Sequence, residues 1–400
     1  MSFELINHDG AWFKIDSPDA PVETIVTEDV ISLSITEEMG KMDSGNLQLL
    51  DRNQIYSRIL RPGGKLKISW GIRKGQMNAL TRDPIEFMIN SPSGGGDAGG
   101  RVTYNCTFMA LGFRGDQGTR WYETGSKMDV VADAMTRIGI PAANREIDFQ
   151  RGSEQITAGT KVVQYESDFR FLVRIADEWR CAFRIGYDRK GKLIACFIDY
   201  AKLKTSAFAQ RVAGASSVNL EYGVNSKMTK LTGNANVLSY SWQDHSMDAA
   251  QGQSARIVIV DGVPQIFRTV VENETVKTYR LVPELIQQEL QTRNLASRTD
   301  LLMEYLSAKD FDEIKRFFIE DTMTTAPQGS GVTIDAKLMG DPSVTAALVA
   351  TFGNGFPDRI GSKDRTWWIR TATHAFSTAG YFSDVSIADA YSFSPTGERL

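Results

Sequence analysis

Residues 164–194 read QYESDFRFLVRIADEWRCAFRIGYDRKGKLI. Phe169, Leu172, Ile175 and Trp179 are spaced three, three and four, with Ala176 on the same side, so they define one face of an amphipathic helix. Ser167 and Asp168 stand just before that pattern and are good N-cap types, since a short side-chain oxygen can accept from the free amides of a first turn. Arg174 precedes Asp177 and Glu178 by three and four residues, the spacing of ion pairs on a helix surface. After Trp179 the period changes to two: Cys181, Phe183, Ile185 and Tyr187 alternate, Asp188-Arg189-Lys190-Gly191 makes a turn, and Lys192 to Tyr200 is extended again. The stretch therefore reads helix, strand, turn, strand. Its acids, Glu166 and Asp168 included, fit a solvated helix face with local partners better than a pair of catalytic carboxylates.

Working outward, the 400 residues suggest two to four domains with ample core. The composition, 42% apolar and 24% charged, is that of an ordinary globular chain, with no apolar run long enough to span a bilayer. The opening MSFELINHDGAW has neither a basic lead nor an apolar core, so Sec export is not expected. Cys106, Cys181 and Cys196 show no metal-type spacing and read as buried thiols of a chain folded in a reducing cytoplasm. Net charge is −4, with both signs mixed throughout. Such a surface lacks the basic footprint of a dedicated nucleic-acid binder but suits one that nucleic acid passes without sticking.

Along the chain, residues 3–115 carry β signals. Val30–Ile35 and Asn46–Leu50 flank a polar loop holding Gly40 and Gly45, and Arg61-Pro62-Gly63-Gly64 turns into a strand from Lys65 to Trp70. Ser91 to Gly100, with five glycines, reads as a mobile loop before a strand from Arg101 to Phe113. Ser126 with Asp129 forms a capping box for a helix whose face is Met128, Val131, Met135 and Ile138, stopped by Gly139 and Pro141. β signals return in Ser217–Gln243, residues 283–320 read as helical, and Gly331–Ile387 is β, with a frayed tail.

Catalytic motifs are scarce. The three histidines, His8, His245 and His374, stand in no H-E-x-x-H or Cys/His metal spacing. Gly214-Ala215-Ser216-Ser217-Val218 fails as a nucleophile elbow, Ile59 and Leu66 break a P-loop around Gly64-Lys65, and Asp358 breaks a dinucleotide loop at Gly353-Asn354-Gly355. A Ser-His-Asp triad and paired acids stay open, because both are assembled in space. His374 reads as a packing or hydrogen-bonding residue.

Two stretches resemble a known family. QYESDFRFLVRIADEWRCAFRI resembles the signature of the phage late-control protein D and VgrG superfamily, with Glu166, Ser167, Asp168, Phe169, Leu172 and Trp179 carrying the match. TWWIRTATHAFSTAGYFSDVSI resembles the closing motif of that superfamily, on Trp368, Ile369, His374, Phe376, Gly380 and Tyr381. Lys337-Leu338-Met339-Gly340-Asp341-Pro342 and DRNQIYSRILRPGGKLKISWG are similar to two further family elements, so the resemblance runs from about residue 30 to 390.

The resemblance implies a mostly β fold with α/β: two tail-tube-type β-barrel domains per chain, with α/β and helical insertions, forming a ring-shaped trimer. The expected domains are a first barrel at 1–115, an α/β module at 116–206, a second barrel at 207–260 and 329–400, and a helical insertion at 261–328. The implied function is a structural tail hub of a bacteriophage baseplate, a late protein of the virion assembled in the host bacterial cytoplasm. It would adapt a hexameric tail tube to a trimeric spike and line the channel for DNA ejection. Implied partners are two further copies in a homotrimer, the tail tube protein, a central spike protein, the tape measure protein and surrounding baseplate proteins. DNA would pass without specific binding, and no membrane insertion, cofactor, metal or catalytic residue is expected. The chain stops at Leu400 soon after the closing motif, with no needle-like repeat and no lysozyme-like domain, so the spike is expected to be a separate protein. Two alternatives stand beside this: a tail-associated peptidoglycan hydrolase, and a host-receptor-binding tail protein that uses the glycine-rich loop at 91–100.

Overall fold

The computed structural model describes residues 2–6, 10–18, 29–74, 77–96, 102–110, 118–156, 161–179, 181–215, 217–223, 236–244, 254–260, 263–272, 275–281, 332–357, 360 and 367–389. The chain divides into two compact units: Met1–Trp242 with Ile334–Ala388, and Gln243–Thr333 with Asp389–Leu400.

The first unit begins with β1 (Ser2–Ile6), β2 (Ala11–Asp16), β3 (Val30–Glu38) and β4 (Ser44–Leu50). A short α1 (Tyr56–Ile59) leads to β5 (Lys65–Lys74), β6 (Met77–Gly96) and β7 (Val102–Ala110). A module follows, of β8 (Arg120–Tyr122), α2 (Lys127–Ile138), β9 (Arg145–Asp148), β10 (Val162–Gln164), α3 (Asp168–Trp179), β11 (Cys181–Tyr187) and β12 (Leu193–Asp199). Then come α4 (Ala207–Ala213), β13 (Ser217–Leu220) and β14 (Val237–Asp244). β15 (Ser254–Val260), β16 (Val263–Glu272) and β17 (Thr275–Leu281) form the described part of the second unit, an antiparallel meander. The chain returns to the first unit in β18 (Val332–Met339), β19 (Val349–Phe352), β20 (Trp367–Ser377) and β21 (Gly380–Asp389).

One sheet organises the first unit, in the order β1-β2-β5-β6-β7-β4-β3-β20-β21-β18-β14, with β19 on β20 and β13 parallel to β19. The strands expected to form two barrels are therefore hydrogen-bonded into one sheet, joined where β3 pairs antiparallel with β20 from Glu38↔Thr371 to Ser32↔Ser377. Period-two alternation sends Leu33, Ile35, Leu47, Leu49, Cys106, Phe108, Ala372 and Phe376 inward to the core. Phe376 stacks on Tyr381 at 4.2 Å and lies 5.2 Å from Phe13, so closing-motif aromatics pack against the first strands.

The quoted stretch folds as read. α3 buries Phe169, Leu172, Ile175, Ala176 and Trp179, and adds Phe171. β11 and β12 pair antiparallel across the turn at Gly191, whose φ of 68° suits glycine, and β12 then pairs parallel with β9. Trp179 stacks near Phe149, which meets Phe197 on β12, so helix and sheet share one aromatic layer. The Ser126–Asp129 capping box is present, and Gly139 ends α2 in the left-handed region.

Four expectations change. Asp168 is fully buried, not on a solvated face. Met128 is 37% exposed, and Val130 and Ala134 take its place in the core, because Met128 lies in the first turn and reaches toward Gly152 instead. Ser91–Gly96 are not a loop: they continue β6, paired from Ser91↔Thr107 to Gly96↔Val102 past a bulge after Ile89. Their partner β5 has ended by Met88, so Pro92 sits where one edge is open and no donor is missed. Within the segment expected to be helical at 261–328, residues 263–272 and 275–281 are strands; the helix expected at 283–320 lies outside the described residues.

Gly45 shows how tightly the sheet is packed. A Cβ there would stand 2.3 Å from the Ser34 carbonyl oxygen and 2.4 Å from the Phe108 ring. Gly45→Ala should cost about 1–3 kcal/mol in chemical denaturation, whereas Gly95→Ala, which meets nothing within 4 Å, should stay within about 0.5 kcal/mol. Phe376→Ala, and Trp368→Ala against its neighbour Tyr200 at 5.0 Å, should each cost about 3–5 kcal/mol.

Candidate functional site

The main polar constellation is buried. Glu37 on β3, Asp43 after it, Arg82 on β6, Arg184 on β11 and His374 on β20 are each at most 4% exposed. Arg82 donates to Glu37 Oε1 and to the Val212 carbonyl at the end of α4. Arg184 Nη1 donates to Thr345 Oγ1 at 2.9 Å and to the Ala346 carbonyl at 2.7 Å. Its Nη2 lies 3.3 Å from Asp43 Oδ1 and 3.4 Å from Glu37 Oε2, the latter in ion-pair range without hydrogen-bond geometry. The Tyr381 hydroxyl sits 2.8 Å from His374 Nδ1, and the His374 ring is 5.3 Å from Trp70.

The local sequence explains how these groups meet. Arg184 sits in the strand that continues the quoted motif, on the face opposite Phe183 and Ile185, and is buried because β11 is covered on both faces. Gly340 lets the following loop close over the site, since a Cβ there would enter the Tyr381 ring at 2.2 Å. The loop then runs buried from Val344 to Leu348 with Ala347 at φ 72°, a left-handed conformation costly for alanine, tied by its amide to the Ile369 carbonyl. Two motifs far apart in sequence thus converge on one cluster.

Charge behaviour follows from this packing. Burial opposes ionisation of Glu37, but Arg82 and Arg184 overrule it and hold the carboxyl down at about 2. Burial pushes His374 down to about 4, against the pull of Glu37, so its imidazole is neutral at neutral pH. His374 is fully buried, with the Tyr381 hydroxyl on its Nδ1.

The other predicted residues are placed in a second cluster. Asp168 accepts from Arg137 Nε at 2.8 Å and Gln164 Nε2 at 2.9 Å, locking α2 to α3. Glu166 pairs with Arg174 at 2.8 Å, and Arg174 also reaches Glu178 at 2.6 Å. The Ser167 carbonyl accepts from the Phe171 amide in the first turn of α3. Glu166, Ser167 and Asp168 therefore lie in the module, apart from His374 and Tyr381, while Gly380 begins β21 with φ 125°. Glu37, Asp43 and Arg82 carried no sequence signal; an ionisable residue at an inward position of an alternating strand, as Glu37 is after Leu33 and Ile35, is the one hint available. His8 and His245 lie outside the described residues. Among the described residues, no group of three or more His, Cys, Asp or Glu could hold a metal, and no helix is long and apolar enough to cross a membrane.

The opposite face of the sheet is polar and half-exposed. Across β7, β4, β3 and β20 its cross-strand rows read Met109–Ser44–Thr36–Thr373, Thr107–Asn46–Ser34–Ala375 and Asn105–Gln48–Ser32–Ser377. None of the side chains in these three rows is ionisable; beyond them on the same face Glu38, opposite Thr371, pairs with Lys41 at 2.8 Å. Thr36 and Thr373 meet at 3.0 Å, and Ser32 donates to Gln48 at 3.4 Å. Charges flank the band. Lys65 and Glu86 pair on the β5–β6 side, and Asp335, Lys337 and Asp384 line a groove of about 460 Å³ on the β14–β18 side.

No family model and no curated protein matches this chain. Solved structures do. The Escherichia coli c3393 protein, described as a type VI secretion component with structural similarity to the T4 bacteriophage tail proteins gp27 and gp5, aligns at 11% identity with a TM-score of 0.51. That alignment covers 96% of this chain and 79% of the other. The tail protein from Neisseria meningitidis MC58 aligns at 11% identity and a TM-score of 0.51, over 95% of this chain and 96% of that one. At such identities the likeness is one of fold, and it extends over nearly the whole chain.

Arg184→Ala should cost about 3–5 kcal/mol, because it leaves two buried carboxylates short of their cation. Differential scanning calorimetry on the variant checks this. His374 contributes stability above pH 6.5 that is lost as pH falls toward 4, since the folded site refuses the proton that the unfolded chain accepts. The stability gap between the native chain and His374→Gln should therefore narrow over that interval by on the order of 3 kcal/mol, measured by urea titration at each pH.

Proposed function

We propose that this chain is a structural tail hub of a bacteriophage baseplate, and that three copies form a ring whose channel wall includes the three rows without ionisable groups on β7, β4, β3 and β20. The observation that carries this reading is that band: three cross-strand rows of hydroxyl, amide and alanine side chains with Met109 at one end, free of ionisable groups, on a sheet joining the two ends of the chain. Phosphates are held on proteins chiefly by lysine and arginine, so a wall without them offers passing DNA no sites at which to stop. The shared fold with a tail protein and with a secretion component likened to gp27 and gp5 supports the same placement.

Among the described residues the sheet's path ends at β1 and β14, and β13 is a further strand with one neighbour, β19. An open edge invites pairing, and in a cyclic trimer a head-to-tail contact between such edges closes on itself. An obligate ring of this kind needs on the order of 2,000 Å² of buried surface per interface. In this role the hub joins a hexameric tail tube to a trimeric spike, contacts the tape measure and neighbouring baseplate proteins, and performs no turnover.

The solution mass of the purified chain, with negative-stain averages of the same sample, tests the assembly. A trimeric ring with an open centre is the expected result; a monomer that stays monomeric when the spike protein is added would overturn it. Ser34→Lys with Thr373→Lys should leave the ring intact yet make it retain duplex DNA at low salt, with retention falling steeply as salt rises. A ring that ignores DNA in both forms places this face elsewhere than on the channel.

A further inference from the structure

We infer that Glu37 and Asp43 form a buried proton site, holding one proton between them at neutral pH, which Asp43 carries. The geometry sets up the competition. Both carboxylates lean on one nitrogen, Arg184 Nη2, at 3.4 and 3.3 Å. Glu37 has the better share of cation, because its Oε1 also accepts from Arg82. Asp43 has only the long Arg184 contact, and its Oδ2 is a buried acceptor with no donor among the described residues. Arg184 is divided as well, since its Nη1 is committed to Thr345 and the Ala346 carbonyl.

Two carboxylates and two guanidiniums would balance on paper, but the contacts are unequal. A second buried carboxylate beside the Glu37 charge, held by one long ion pair, does not recover what it loses on leaving water. A proton on Oδ2 removes that charge. Burial pushes the Asp43 carboxyl up to about 7; Arg184 pulls it down, and the Glu37 charge adds to the rise. The other groups facing the pair do not compete for this proton. Arg82 and Arg184 are guanidiniums, His374 is driven neutral by burial, Thr345 is a hydroxyl, and burial pushes Tyr187 at the end of β11 upward.

The site lies where the hairpin of β11 meets the large sheet, so its proton adjusts the grip of Arg184 on Asp43 at that joint. Asp43 then contributes stability that is fully present below the ordinary carboxyl value of 3.8 and lost progressively as pH rises from there to about 7. This is independent of the hub assignment, because it concerns the isolated chain.

The test compares the melting temperatures of the native chain and Asp43→Asn, a neutral isostere of the protonated acid. The variant's melting-temperature advantage should be smallest near pH 4, grow by several degrees up to about pH 7 and then hold level to pH 8.5, where the native carboxyl has lost its proton. A difference that does not change with pH, or a variant less stable at the higher pH, overturns the inference and makes Asp43 an ionised partner of Arg184. Where Asp43→Asn fails to fold, infrared spectroscopy of the native chain decides. A carboxylic-acid carbonyl band that disappears as pH passes through about 7 is expected, and no band titrating there overturns the site.

Discussion

The fully buried guanidinium of Arg184 is the constraint around which the first unit is arranged. A cation taken out of water needs acceptors, and those of its two terminal nitrogens come from separate parts of the chain: Glu37 on β3 and Asp43 after it, and Thr345 and Ala346 in the loop before β19. Meeting that demand fixes the hairpin of the α/β module against the sheet and the 344–348 loop over both. The positive φ of Ala347 and the absent Cβ of Gly340 are local costs of holding the loop there. Arg82 and Glu37 extend the cluster to the end of α4, so β3, β6, β11, β20 and α4 share one electrostatic centre.

The sheet has two faces with opposite chemistry. Its inner face carries aromatics, aliphatics and this charge cluster. The outer face of its central strands carries hydroxyls and amides that bond to one another across strands. Small polar side chains satisfy a solvated sheet without the long charged groups that usually cover one, which makes the band unusual for an exposed surface and fitting for a wall that should hold nothing. In the proposed ring, a core locked by an ion cluster would supply rigidity and the uncharged rows would supply low adhesion.

Where elements are governed by neighbours in sequence, they were legible. The 3.6-residue period of Phe169, Leu172, Ile175 and Trp179 places α3, the period of two from Cys181 places β11, and the Ser126–Asp129 box starts α2. Local rules failed where a distant partner decided the outcome. Ser91–Gly96 read as a loop because glycine loses entropy on ordering, yet β7 recruits them into a strand. Asp168 read as an exposed cap, yet Arg137, thirty-one residues away, draws it inside.

The sequence by itself determined the helix and hairpin of the module, the inward and outward alternation of the strands, and the motif residues that resemble a tail hub, because each is set by spacings of a few residues. Only the tertiary structure decided that β3 pairs with β20 to merge both ends of the chain into one sheet. It alone brought Glu37, Asp43, Arg82, Arg184 and His374 together, and it alone aligned three adjoining outer rows of four strands that carry no ionisable group. The physical reason is that burial and electrostatic pairing act through space. Glu37 and Arg184 are 147 positions apart in the chain and 3.4 Å apart in the fold, and no periodicity along the sequence encodes that distance.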